Sequence, residues 1–237
     1  MRLNDPQAVR EEYASEAGLL GRRAAYQWAE GPDALELLFQ TISGLRPSHV
    51  LEVGCGPGEL SERMRVELGA SVAAVDVSPR MVGLARGRGV DAQLGDVQDL
   101  PFPDASFDCA VAAWMLYHVP DVDRALGELA RVVRPGGHLV AVTNHLDHVQ
   151  ELRALADEPG TFESAFSGEN GAALLTRHFE RVEERDAAGT IRFPDREAVL
   201  AYLRASISLK GAEARLPPFE PPLVVRRHPT IFVAERA

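Results

Sequence analysis

Between Val50 and Gly58 the chain reads V-L-E-V-G-C-G-P-G, a stretch that few folds can accommodate. A short run of buried-strand character, Val50 to Val53, meets a turn with glycine at every second place: Gly54, Gly56 and Gly58. Leu60, Met64 and Leu68 follow at the spacing of one helix face. Strand, glycine turn and helix open a nucleotide-binding α/β unit, whose ligand sits at the carboxyl end of the first strand. Glycine serves there because it reaches positive φ and lets backbone N–H groups approach the ligand. A dinucleotide site spaces its glycines G-x-G-x-x-G so that a pyrophosphate meets the helix N-terminus. Here the sixth place is Glu59, a carboxylate that repels a diphosphate, and Glu52 adds a second acid. The pocket therefore suits a nucleoside with a cationic ammonium or sulfonium tail.

The chain around this unit reads as one α/β domain. Asp33 starts a helix with Leu35, Leu38, Ile42 and Leu45 on one stripe, and Pro47 ends it. Ser71–Asp76 is a near-continuous apolar strand, the kind covered on both faces. Asp76 closes it about 20 residues past the glycine turn, where an acid accepts both ribose hydroxyls. Its two oxygens match two adjacent donors. A helix-cap role for Asp76 has a better candidate in Ser78, with Pro79 at the first helical position. Asp91–Leu94 is a third strand, Phe107–Ala113 a fourth, His138–Val142 a fifth, Phe179–Glu184 a sixth and His228–Ala234 the last. Asp121 caps the helix after the fourth strand, and another helix runs from Asp195 to Ser206. Arg134-Pro135-Gly136-Gly137 is expected as a turn, residues 150–178 as helices broken at Pro159-Gly160 and Gly168, and Pro217 to Pro222 as a rigid connection or lid rim.

Charge narrows the partners. With 25 basic and 35 acidic residues the net charge is −10, which argues against nucleic acid as a partner. Lys210 is the one lysine, an arginine bias read as genomic base composition. No apolar run has membrane-spanning length and the first twenty residues lack a signal-peptide pattern, so a cytoplasmic protein without membrane attachment is expected. Cys55 and Cys109 fall at opposite ends of a parallel sheet, too far apart to bridge.

The run E-V-G-C-G-P-G, together with L-P-F-P-D-A-S-F-D (100–108) and R-P-G-G-H-L-V (134–140), resembles the motifs of class I S-adenosylmethionine methyltransferases. The resemblance is to the small-molecule group related to ubiquinone-biosynthesis methyltransferases. It covers residues 48–142 and implies a doubly wound, mostly parallel seven-stranded sheet with helices on both faces, its last strand antiparallel, and a helical lid. Glu52, Gly54, Gly56 and Gly58 then belong to the cofactor turn, and Asp76 with Val77 to the ribose. By the same resemblance Met81 packs on the adenine face, Asp96 accepts from the adenine amino group, and the Val97 N–H reaches a ring nitrogen. The backbone at Ala112 and Ala113 accepts from the ligand's ammonium group. The run Y-A-S-E-A-G-L-L-G-R-R-A-A-Y (13–26) is similar to the family's flap, which places Tyr13 near the methyl donor and Arg22 near the methionine carboxylate. His118 stands where relatives often have histidine, either bracing its loop or touching substrate.

Beyond Thr143 the pattern is individual. His145 and His148 follow the fifth strand, where switch-point geometry aims residues into the crevice. Zinc would need further ligands that the spacing does not supply, so no metal is expected. With His118, these histidines are the candidates for a general base near neutral pH. The expected organisation is a single domain over 1–237: flap 1–31, cofactor core 48–142, lid 144–178 and C-terminal elements 179–237. The expected activity is methyl transfer from S-adenosylmethionine, leaving S-adenosylhomocysteine, to an N, O or C atom of a small organic molecule, a reaction suited to secondary metabolism. The protein would act as a monomer or homodimer. Competing readings are a cofactor-binding cyclase without methyl transfer, an NAD-dependent oxidoreductase, and methylation of protein or RNA.

Overall fold

A computed structural model describes residues 3–156 and 163–237. In chain order the elements are α1 (Pro6–Glu12), α2 (Ala17–Ala24), β1 (Ala29–Glu30), α3 (Ala34–Leu45), β2 (His49–Val53), α4 (Glu59–Leu68), β3 (Ser71–Asp76), α5 (Pro79–Gly87) and β4 (Asp91–Leu94). They continue with β5 (Phe107–Ala113), α6 (Val122–Val132), β6 (Val133–Asn144), α7 (Gln150–Leu155), α8 (Gly171–Leu175) and β7 (Arg181–Asp186). The last are β8 (Gly189–Phe193), α9 (Arg196–Ala205), β9 (Leu223–Arg227) and β10 (Pro229–Glu235).

Side chains fix where the helices begin. The Asp33 carboxylate accepts from Leu35 N and Glu36 N at 2.8 and 3.1 Å, the Ser78 hydroxyl from Met81 N at 3.3 Å, and Asp121 from Arg124 N at 3.0 Å. The helix expected from Asp195 is α9, capped by that aspartate. Seven strands form the main sheet in the order β4-β3-β2-β5-β6-β10-β7. Neighbours from β4 to β6 are parallel, and β10 is antiparallel to both β6 and β7. Strand order therefore reverses between β2 and β5, which opens a crevice at the carboxyl end of β2. Alternate residues of β2 serve opposite layers: Leu51 and Val53 belong to the core cluster that includes Leu126 and Leu129 of α6, while Val50 belongs to the one with Leu38, Ile42 and Met64 of α3 and α4.

One expectation needs correction here. Arg134-Pro135-Gly136-Gly137 lies within the span of β6, where the ladder shifts register opposite Phe107 and Cys109. Within 144–178, Phe166 and Leu175 pack into the main core, while His145, His148, Val149 and Arg153 line the cavity described below. A second cluster, with Ile191, Phe193, Val199, Tyr202, Leu203 and Val225, is built largely from residues beyond 187. It rests on a small sheet ordered β1-β8-β9 that joins segments remote in sequence. The expected break at Pro159-Gly160 lies outside the described residues, and Gly168 separates α7 from α8. Both cysteines are buried and unbridged.

Candidate active site

The turn after β2 is tied to β3 from both sides. Gly54 N and Cys55 N donate to the Val75 carbonyl at 2.7 and 3.2 Å. Gly56 N donates to Asp76 Oδ2 at 2.9 Å, and Ser78 N to Asp76 Oδ1 at 2.8 Å. Asp76 thus braces the two turns while each oxygen keeps a second lone pair. Burial pushes its carboxyl above the usual range, against the pull of the Ser78 and Gly56 N–H groups. At Gly56 φ is +54°, and a Cβ there would meet nothing within 4 Å, so the turn leaves open space above its backbone. Gly58 answers a different need. Its φ is +83°, and a Cβ would lie 2.7 Å from Ala85 Cβ, so it lets α4 and α5 approach and is not part of the cavity wall.

One cavity of about 760 Å³ runs from this turn beneath the N-terminal segment. Its near end is acidic: Glu52, Glu59, Asp76 and Asp96 share the wall with Gly54, Val77, Val97 and Ala113. Glu52 accepts from the Ser61 hydroxyl, and burial pushes its carboxyl up to about 8. Gln98 holds both oxygens of Asp96 through its side-chain amide, at 3.0 and 2.9 Å. Met81 and Ala112 are fully buried and lie outside the wall, so on this geometry their neighbours Val77 and Ala113 are what a ligand meets.

The N-terminal segment is latched down by His118. Its Nδ1 lies 2.8 Å from the Leu3 carbonyl, so that nitrogen carries the proton and Nε2 accepts from the Tyr13 hydroxyl at 2.9 Å. The Tyr13 carbonyl accepts from Ser78 Oγ at 2.8 Å. Burial lowers His118 to about 4, so the ring is neutral near pH 7. Arg22 lines the cavity and donates to Glu12 and, at 2.7 Å, to the Ala205 carbonyl, which ties the segment to α9. Tyr13→Phe strips His118 Nε2 of its donor and should cost about 1 kcal/mol. A urea midpoint identical to that of the unsubstituted chain would remove the latch from consideration.

These contacts revise the general-base assignment for all three histidines. His118 has both ring nitrogens engaged. His145 faces the Glu169 carboxylate through Nδ1 at 3.2 Å, so in the neutral ring Nε2 accepts from the Thr230 hydroxyl at 2.6 Å. His148 accepts from the His228 backbone N–H at Nδ1, 3.1 Å away, and therefore carries its proton on Nε2. Burial and the positive field of Arg153 and Arg227 lower it to about 3. The ring offers the cavity an N–H rather than a lone pair. The far end also holds Arg153, Tyr202, Ser206 and Arg227, which sequence reading did not reach. Nothing in L-V-V-R-R-H signals that the second arginine is buried. Trp114 is a further omission: it sits in the wall at φ +51°, held by Nε1 donating to Asn144 Oδ1 at 3.2 Å. Among the described residues no cluster of three His, Cys, Asp or Glu could hold a metal, and no helix is long and apolar enough to cross a membrane.

Comparison with known proteins decides the family. The methyltransferase domain family matches residues 51–141, the span from β2 to β6. A malonyl-[acyl-carrier protein] O-methyltransferase of Chlorobium luteolum is 30% identical over 210 residues, 85% of this chain and 78% of that protein. The chain belongs to the class I S-adenosylmethionine-dependent methyltransferases. A second protein of that description, from Serratia marcescens, is 35% identical over 152 residues, 62% of this chain. The methyltransferase spans little more than half, 56%, of that relative's length. Among solved structures the [4+2]-cyclase SpnF superposes with a TM-score of 0.66 at 19% identity, covering 97% of this chain and 95% of its own, a likeness of fold. S-adenosylmethionine is the cofactor, and the near end suits it: an open glycine turn, a carboxylate with lone pairs to spare, and acids around a cationic ligand.

Proposed function

We propose that this methyltransferase acts on a small organic molecule, methylating a nitrogen, oxygen or carbon atom inside the cavity. The observation that carries the reading is a single cavity of about 760 Å³ whose wall includes both Asp76 with the Gly56 turn and His148 with Arg227, a volume suited to a cofactor and a small acceptor. Asp76 takes the two ribose hydroxyls, Asp96 and the Val97 N–H the adenine, and Glu52 and the Ala113 backbone the amino-acid end. Tyr13 and Arg22 close over that end from the N-terminal segment. When bound, S-adenosylmethionine supplies an electrophilic methyl on a sulfonium, so the difficult chemistry is the cofactor's own.

The chain's residues are left with binding, orientation and exclusion of water. Holding an acceptor in reactive alignment can be worth about 7–11 kcal/mol. No cavity histidine presents a free lone pair in its neutral form. That favours acceptors which need no protein base, such as a neutral amine, a stabilised enolate or an already ionised oxygen. The test is a screen of small acceptors with S-adenosylmethionine, followed by quantifying S-adenosylhomocysteine. Stoichiometric S-adenosylhomocysteine with a methylated product is expected. A rearranged product with no S-adenosylhomocysteine would replace methyl transfer by the cyclase reading.

A further inference from the structure

The two ends of the cavity carry opposite charge. Near the glycine turn the wall holds Glu52, Asp76 and Asp96 together with Glu59, which is paired to Arg23, and Arg22, which is paired to Glu12; at the far end the charged residues include Arg153 and Arg227. Arg227, at the end of β9, is 2% exposed and ranks among the largest fully buried side chains of the protein. It threads between Gly31 and Gly189, where a Cβ on Gly189 would stand 2.9 Å from Nη2. Glycine at 189 is required first by the Glu30 carbonyl, which a Cβ would meet more closely still, and it also leaves room for this side chain. Its hydrogen bonding is meagre: Nη2 donates to the Pro32 carbonyl, and Nε is buried with no partner. No carboxylate among the described residues answers its charge. Asp147, close in the fold, is taken by Arg226 and His228, each at 2.7 Å.

A cation buried without a counter-charge is destabilising, and replacing one by an apolar residue commonly stabilises a fold. Such an arginine is explained when an anion arrives with the ligand. A second donor points into the same region, because the His148 tautomer leaves Nε2–H unpartnered by protein. Arg153 donates from Nη2 to Ser208 Oγ at 3.0 Å, so it shapes this end while engaged with the chain. One uncompensated guanidinium matches one negative charge, and its planar fork matches a planar two-oxygen group.

Resting on the methyltransferase reading above, we infer that the methyl acceptor carries a carboxylate and that Arg227 binds it, with His148 Nε2–H as the second donor. The acids at one end receive the cationic cofactor, and the arginine end receives an anionic acceptor. Like ends cannot exchange occupants.

Calorimetry on the full chain saturated with S-adenosylhomocysteine tests this, with benzoate and octanoate as probes against benzamide and octanamide. At least one carboxylate should bind and its amide should not. Arg227→Met should weaken carboxylate binding at least tenfold, with S-adenosylhomocysteine affinity unchanged. Arg227→Lys, which keeps the charge and loses the fork, should fall between. Should the methionine variant not fold, the lysine variant and the acid–amide contrast on the unsubstituted protein decide the matter. Equal binding of acid and amide, undiminished carboxylate binding in either variant, or no carboxylate binding would overturn the assignment. Tighter binding of phenyl phosphate than of benzoate would overturn the carboxylate in favour of a phosphate ester. Failure of S-adenosylhomocysteine to bind the unsubstituted protein would overturn the cofactor reading itself, and this assignment with it.

Discussion

Asp76→Ala should lower affinity for S-adenosylhomocysteine at least tenfold by titration calorimetry. The charge-assisted bonds to the ribose hydroxyls that the variant loses are worth about 1.5–3 kcal/mol each, and tenfold corresponds to about 1.4 kcal/mol. The structure adds a second effect that strand position alone does not reveal. Because Gly56 N and Ser78 N both donate to this carboxylate, alanine leaves two backbone N–H groups without their acceptor. Thermal stability should therefore fall as well. Asp76→Asn separates the effects, since its amide oxygen still accepts from one N–H but cannot take both hydroxyls with full charge. Unchanged affinity in both variants would refute the ribose assignment.

Glu52→Gln should make the protein more stable above pH 7 and move its pH optimum. With its carboxyl raised from 4.5 to about 8 in the folded chain, Glu52 keeps a proton that the unfolded chain has lost between those values. Native protein then binds more protons than unfolded, so this residue's contribution is fully present below pH 4.5 and disappears as pH rises through 8. Over the whole window the loss is on the order of 5 kcal/mol, and between pH 6.5 and 8 about 2 kcal/mol. His118 and His148 act in the opposite sense. Lowered from 6.5 to about 4 and about 3, they stay neutral where the unfolded chain's histidines charge, and they cost stability as pH falls below 6.5. The unsubstituted chain should therefore be most stable near pH 6.5, by urea titration across pH. Glutamine, which keeps a partner for Ser61 without ionising, should flatten the alkaline limb alone. A cationic ligand favours the ionised carboxylate, so S-adenosylmethionine binding at pH 7 should release a proton that the variant does not. Calorimetry in two buffers of different ionisation heat reads that difference, and an unaltered alkaline limb in Glu52→Gln would refute the assignment.

Much of the core was legible because local physics wrote it. Apolar runs too continuous for a one-sided sheet announced β2, β3 and β5, and Asp33, Ser78 and Asp121 marked helix starts by their capping chemistry. The small sheet was not legible. Its strands are two to five residues long, β1 pairs with β8 from about 160 positions away, and β9 ends in two arginines that look like a solvated run. The role of Gly58 was misplaced for a related reason: a positive-φ glycine reads the same whether it admits a ligand or, as here, the Ala85 methyl of a neighbouring helix.

The sequence by itself determined the parallel sheet, its switch point and the acids at the strand tips, because strand period, turn glycines and chain order are local or topological properties. Tertiary structure alone decided which nitrogen of each histidine carries a proton, and whether Arg227 meets water or lies buried without a counter-charge. Those outcomes depend on groups brought together from segments remote in sequence, such as Leu3 with His118 and Pro32 with Arg227. Protonation and buried charge follow from neighbours in space, which residue order does not specify.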